Sequence, residues 1–318
     1  MTAAGPAARG PARVTRARML FGLRVLASVT LLWLVLSSVG SQEALSRLTA
    51  AEPFWILAAL LFLALQTLLS AWRWRITAAA LGQTLTGRRA VREYWLAQLL
   101  NQVLPGGILG DAGRALRTQT GVGLLRAGQA VVVERMSGQF ALFGVLLSAV
   151  VCTALVPGGL DWPRWWPGGV VLALLCVLLL PGALLGAARL PGRVGRGAGG
   201  LAKAFSAALF APTLWPRQLC LSTLTVGCNI AAFACCARAT GTDLGPAAAA
   251  ALVPLILLAM LIPFAISGWG FREGAAAALW PLLGAPAEAG VAASVLFGLT
   301  LLVASLPGLL ALLQRSGA

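Results

Sequence analysis

The stretch Phe54–Leu69 reads FWILAALLFLALQTLL and carries no charged residue. It is apolar on every face, so neither the period of two of a half-buried strand nor the one-sided stripe of a surface helix describes it. Four other runs read the same way: Met19–Val39, Phe140–Val156, Val170–Leu185 and Leu296–Leu313. Their lengths approach or reach the ~20 residues that cross a ~30 Å hydrocarbon core as a helix. Lipid offers no partner to an exposed backbone N–H or C=O, which leaves helices and closed barrels. Barrel strands alternate apolar and polar residues over about ten positions, and these runs do not. The whole chain agrees, with 59% hydrophobic and 10% charged residues, against about 25% charged in soluble domains. The fold class is an all-α polytopic membrane protein.

The net charge is +15. Because the basic residues sit in short segments between apolar runs, they read as topology signals rather than as a nucleic-acid surface. Anionic lipid headgroups are the expected partners of such loops. With the basic ends placed in the cytoplasm, twenty of the 24 Lys and Arg residues fall inside. Arg47, Arg164 and Arg238 fall outside, and Arg272 falls within a broken segment. This arrangement predicts a multi-pass inner (plasma) membrane protein with both termini cytoplasmic. Residues 1–18 form a disordered basic tail, and 19–318 a single transmembrane domain.

Two apolar stretches are too short to cross. Tyr94–Leu104 stops at Pro105-Gly106-Gly107, and Ala275–Leu283 follows the break that ends Ala247–Ile262 at Pro263. Proline removes a helix hydrogen bond and glycine permits a reversal, so each break predicts a re-entrant helical hairpin. About six full spans complete the topology. The breaks share a pattern: Pro105-x-x-Ile108-x-Gly110-x-x-x-Arg114 and Pro263-x-x-Ile266-x-Gly268-x-x-x-Arg272, offset by 158 residues. The first half (19–157) starts inside and the second (165–313) starts outside, which is the order of an inverted repeat. Such repeats with interrupted helices characterise secondary transporters that bind substrate near the midplane.

Charges at membrane depth normally face a cavity or a partner. Asp111 and Arg114 follow the first break, Glu134 and Arg135 open the next span, and Arg272 and Glu273 follow the second break. Arg114 suits a phosphate or pyrophosphate oxyanion. Asp111, Glu134 and Glu273 either hold the arginines or exchange protons; the plainer reading is that all six only pair with one another. Asn101 either caps backbone groups or touches substrate. The tryptophans, Trp72 and Trp74 included, read as interface anchors, with Trp269 a candidate for a cavity wall. The chain has no histidine, which excludes Ser-His-Asp chemistry and His-ligated metals. Its six cysteines form no CxxC pair and read as core residues. The absence of a Gly-rich loop with lysine argues against direct ATP use. No cofactor, metal or enzymatic activity is expected.

Asn101-x-x-Leu104-Pro105-Gly106, Gly110-Asp111-x-x-Arg114, Glu134-Arg135 and the late segment Pro263-x-x-Ile266-x-Gly268-x-Gly270-x-Arg272-Glu273-Gly274 resemble the lysylphosphatidylglycerol synthase/flippase transmembrane-domain family, from about Arg18 to the C-terminus. The chain departs from the family at Asp111, where glutamate is commoner. It departs again after Glu134-Arg135, where Ser137-Gly138-Gln139 supplies no acidic residue. Bifunctional family members carry a soluble aminoacyltransferase domain after the membrane part, and this chain stops at Ala318. The resemblance therefore implies lipid translocation rather than lipid lysylation. The substrate-binding residues expected are Asn101, Gly106, Gly110, Asp111, Arg114, Glu134, Arg135, Gly268, Gly270, Arg272 and Glu273, with Pro105 and Pro263 as hinges. The leading function is a flippase for an anionic lipid or glycolipid. The alternative is a non-catalytic subunit that scaffolds a cell-envelope glycosyltransferase or lipid-modifying enzyme.

Overall fold

The computed structural model describes residues 41–104, 107–155, 182–262 and 267–313, with scattered positions within 19–38 and 160–179. Pro105, Gly106, Pro263 and the tail 1–18 lie outside the described residues, as does most of the span expected at Val170–Ala188. Every element described is helical: α1 (Ser41–Thr49), α2 (Pro53–Ala80), α3 (Gly87–Val103), α4 (Leu109–Thr118), α5 (Gly123–Leu155), α6 (Gly192–Leu209), α7 (Trp215–Ala239), α8 (Pro246–Ala259), α9 (Phe271–Leu279), α10 (Ala287–Ser305) and α11 (Pro307–Leu313). A 3-10 turn, Trp280–Leu283, extends α9. Among the described residues four helices are long and apolar enough to cross a membrane: α2, α5, α7 and the run Ala287–Ala311.

Prolines in the first turn start α2, α7 and α8, where the missing N–H costs nothing. Thr86 caps α3, its side-chain oxygen accepting from Arg89 N at 3.3 Å. The ends of α2 and α7 are built alike. Gly82 donates to Ala79 O and Gln83 to Ala78 O; Gly241 donates to Arg238 O and Thr242 to Ala237 O. Gly82 and Gly241 have φ of 82° and 88°, the left-handed conformation that closes a helix C-terminus at little cost only when the residue is glycine. The sequence expectation placed the inner end of α2 at Trp72–Arg75. The helix instead runs on to Ala80 and carries Arg73 and Trp74 into the interior.

α2 and α7 pack along one another, with α10 beside them. Small residues line the seam (Ala59, Ala232, Ala237, Ala289 and Ala293). They let backbones approach closely, which replaces the hydrophobic drive absent between helices in lipid. Phe233, Trp280 and Phe297 fill the centre, with ring centroids 6.1 Å (Phe233–Trp280) and 5.1 Å (Phe233–Phe297) apart. Trp280 is fully buried, contrary to the expectation of interfacial tryptophans, and donates from Nε1 to Thr242 Oγ1 at 3.3 Å. Two segments placed outside by their charge meet: Arg47 Nη1 donates to Thr240 O, and the Arg238 guanidinium lies over the Trp55 ring. α11 continues the line of α10 and packs on α3, and at the end of α10 Trp95 Nε1 of α3 donates to Ala304 O at 3.1 Å.

Trp280→Ala removes the side chain that joins α7, α9 and α10. It is expected to destabilise the chain by about 3–5 kcal/mol, read as a lowered unfolding temperature in detergent micelles.

Candidate functional site

α3 and α4 meet at a close backbone approach. A Cβ on Gly110 would lie 2.0 Å from Ala97 O, so only glycine lets α4 start there. Asn101, at the end of α3, fastens the contact. Its Oδ1 accepts from Gly110 N at 2.8 Å and its Nδ2 donates to Asp111 Oδ2 at 3.1 Å. This fixes Asp111 in the first turn of α4 and aims Arg114, one turn later, at α5.

Five charges then alternate in sign across three helices. Arg135 Nη2 lies 2.6 Å from Asp111 Oδ2. Asp111 Oδ1 lies 3.0 Å from Arg114 Nη2, which also reaches Glu134 Oε2 at 3.1 Å. Glu134 Oε1 takes Arg73 Nη2 at 2.6 Å and the Tyr94 hydroxyl at 3.2 Å. Arg73 Nη1 ends the line, donating to Ser222 Oγ at 3.3 Å. Arg73, Asp111, Arg114 and Glu134 are buried, whereas the Arg135 side chain is 45% exposed. Arg114 is held between two rings, 4.4 Å from the Trp74 centroid and 4.5 Å from that of Tyr94. Its Nε and Nη1 have no acceptor among the described residues, and the ring faces take their place.

A second, smaller group forms at the other break. Gly268 and Gly270 have φ of 78° and 90°, and Gly270 N donates to Glu273 Oε2 at 2.7 Å. Glu273 Oε1 takes the Arg272 guanidinium through Nε at 3.0 Å, and Ser294 Oγ donates to the same oxygen at 3.1 Å. Arg272 lies over Trp269 and Phe297, 4.9 and 5.7 Å from their centroids. A Cβ on Gly298 would fall 2.2 Å from Arg272 Nη2, so α10 offers the guanidinium a notch. Ser267 donates to Gln102 Oε1, joining the end of α3 to the second break.

The sequence-predicted residues thus divide in two. Asn101, Gly110, Asp111, Arg114, Glu134 and Arg135 make one group; Gly268, Gly270, Arg272 and Glu273 make the other. Arg73, Trp74, Tyr94, Ser222 and Ser294 escaped sequence reasoning. The signal for Arg73 lay in its own helix: Thr67, Ser70, Arg73, Trp74 and Thr77 are all buried and recur at helical spacing, so they form a polar stripe inside an otherwise apolar span. Glu134, which lacks an acidic companion downstream, finds its further partner in Arg73.

Broken helices, four long apolar spans and buried ion clusters define an all-helical, multi-pass membrane protein. The family model described as lysylphosphatidylglycerol synthase TM region matches residues 20–308, and the chain belongs to that family. A comparison with curated proteins finds no match. Membership places the chain's work in the membrane and relates it to lipid.

Glu134→Gln leaves two buried guanidiniums without their shared carboxylate. A loss of about 3–5 kcal/mol is expected, against roughly 0–1 kcal/mol for Arg135→Gln at the exposed end. Thermal unfolding of the two variants in the same detergent measures the contrast.

Proposed function

We propose that the chain is a flippase, which moves a lipid with an anionic headgroup across the inner membrane by transport rather than catalysis. The observation that carries this reading is the Arg135–Asp111–Arg114–Glu134–Arg73 line beside a broken helix. Three guanidiniums face two carboxylates, which leaves the group one anion short. The Arg272–Glu273 pair is balanced within itself. Headgroup binding therefore falls to Arg114 and its neighbours, with Asn101, Gly106 and Gly110 among the binding residues. Arg272, Glu273, Gly268 and Gly270 hold the opposite break, and Pro105 and Pro263 serve as hinges.

An inverted repeat of two halves supports the transport reading. Helices of matching rank recur at an offset near 158 residues: α2 with α7, α3 with α8, α4 with α9, and α5 with the run formed by α10 and α11. The matched Gly82 and Gly241 ends follow the same register. With two re-entrant hairpins and about six spans, both termini lie in the cytoplasm. Each half then presents its break from the opposite face, as alternating access requires.

The test is reconstitution of the full chain in liposomes with dithionite-accessible headgroup analogues. The panel comprises phosphatidylglycerol, lysyl-phosphatidylglycerol and a polyprenyl-phosphate sugar. Accelerated exchange of one class, lowered at least about tenfold by Arg114→Ala (~1.4 kcal/mol), is expected. No exchange for any class would sink the flippase reading and favour the scaffolding subunit, sought next through a copurifying enzyme.

A further inference from the structure

A cavity of about 1780 Å³ lies between α5, α6, α7, the start of α8 and the helical stretch 182–187. It is larger than the ~300–1,000 Å³ typical of small-molecule sites. Its wall is almost wholly apolar. Leu185, Phe210, Trp215 and Leu219 belong both to this wall and to the exposed apolar surface, so the cavity is continuous with the lipid-facing side. Ser148, Ser206 and Thr223 are scattered polar members of the lining, and Ser137, Gln218 and Ser222 are its polar members nearest the ion line, with Gln218 one turn before Ser222.

That place adjoins the ion line. Ser222 accepts from Arg73 Nη1, and a Cβ on Gly138 would lie 3.1 Å from Arg73 Nη2. A line that begins and ends on arginine has two incompletely matched ends. The Arg135 side chain is 45% exposed, but Arg73 is only 3% exposed and its Nε has no acceptor among the described residues. Gln218 Oε1 is likewise buried without a donor. An excess positive charge stands one hydroxyl behind the wall of an apolar chamber. The Ser222 proton is free to point into that chamber. Arg73 lies seven residues before the end of α2, about 10 Å of helix rise, which is where the headgroup of a lipid drawn in sideways would sit.

We infer that this chamber is a lateral lipid site: it takes the acyl chains of a monoanionic phospholipid and sets the phosphodiester against Ser222, backed by Arg73. The Gln218 carbonyl accepts a hydroxyl of the headgroup. The ligand is a lipid rather than a soluble phosphate because the polar patch is small and the remainder of the wall, apart from Ser148, Ser206 and Thr223, offers only contacts that acyl chains satisfy. The inference rests on the lipid reading above for its ligand class, but it concerns occupancy and not movement.

Native mass spectrometry of the delipidated full chain tests it. The probes are phosphatidylglycerol, phosphatidylcholine with the same acyl chains, and glycerol phosphate. Phosphatidylglycerol is expected to be retained about tenfold over phosphatidylcholine, equivalent to ~1.4 kcal/mol. Gly144 lines the chamber, and a Cβ there meets nothing within 4 Å, so Gly144→Phe sends a side chain into the chamber from an unobstructed Cβ. Retention of both lipids should fall about tenfold; Ser148→Phe, one turn further along the same wall, provides a second filling variant. Ser222→Asp supplies the missing carboxylate beside Arg73 and should abolish the preference for phosphatidylglycerol while phosphatidylcholine retention persists. Unchanged retention in both filling variants overturns the proposal. So does a preference that survives Ser222→Asp, and so does glycerol phosphate competing as well as the intact lipid. A chain that binds in this way yet exchanges no lipid in liposomes would sink the flippase reading alone.

Discussion

A guanidinium cannot remain alone at membrane depth. Its charge costs several kcal/mol to desolvate unless a carboxylate and further hydrogen-bond partners surround it. That requirement organises the first half of this molecule. Glu134 receives Arg114 from α4 and Arg73 from α2 on its two oxygens, so α2, α4 and α5 are tied at a single carboxylate. α3 enters the arrangement through Asn101 and through Tyr94, whose hydroxyl shares Glu134 Oε1 with Arg73. The short α4 is oriented by these ion pairs more than by apolar packing, since Leu109 and Leu116 point away from the core.

Rings supplement the carboxylates in both halves. Arg114 lies between Trp74 and Tyr94, and Arg272 lies over Trp269 and Phe297. A ring face gives a cation electrostatic contact without a polar atom that itself needs solvation. This suits a guanidinium whose donors outnumber the acceptors in reach. It also explains why Trp74 and Trp280 are wholly buried although tryptophan commonly marks the bilayer interface: Trp74 covers a cation, and Trp280 has a hydroxyl partner in Thr242 for its N–H.

Much of this was legible in the sequence. All-round apolarity identified the spans, and the shared Pro-x-x-Ile-x-Gly-x-x-x-Arg spacing singled out Gly110, Arg114, Gly268 and Arg272, which the structure places around the starts of α4 and α9. The paired charges after each break were identified by type. Arg73 was hidden because its neighbours Trp72, Trp74 and Arg75 imitate an interfacial anchor. Trp72 is half exposed, and the Arg75 guanidinium lies over its ring. Only the helical phase separates Arg73 and Trp74 from them, placing both with Ser70 and Thr77 on the buried face. Ser222 and Ser294 were illegible for another reason. A lone serine in an apolar helix gains meaning only from the guanidinium that a different helix brings to it.

The two clusters differ in parity, and this is the deeper asymmetry between the halves. Arg272 and Glu273 are adjacent in sequence, share Ser294 and close on themselves. An even number of charges can be matched internally, so this group can serve as a fastening with nothing left over. The first group alternates through five charges and has arginine at both ends. No rearrangement of its own members can neutralise it, because each carboxylate is already shared by two guanidiniums. One end is the half-exposed Arg135. The other meets Ser222, at the edge of an apolar chamber where water is a poor substitute. A protein selected for stability alone could have balanced that end with one more carboxylate in place of Ser222, whose Oγ already meets Arg73. A serine instead of a carboxylate leaves the positive end of the line open, at the wall of the apolar chamber.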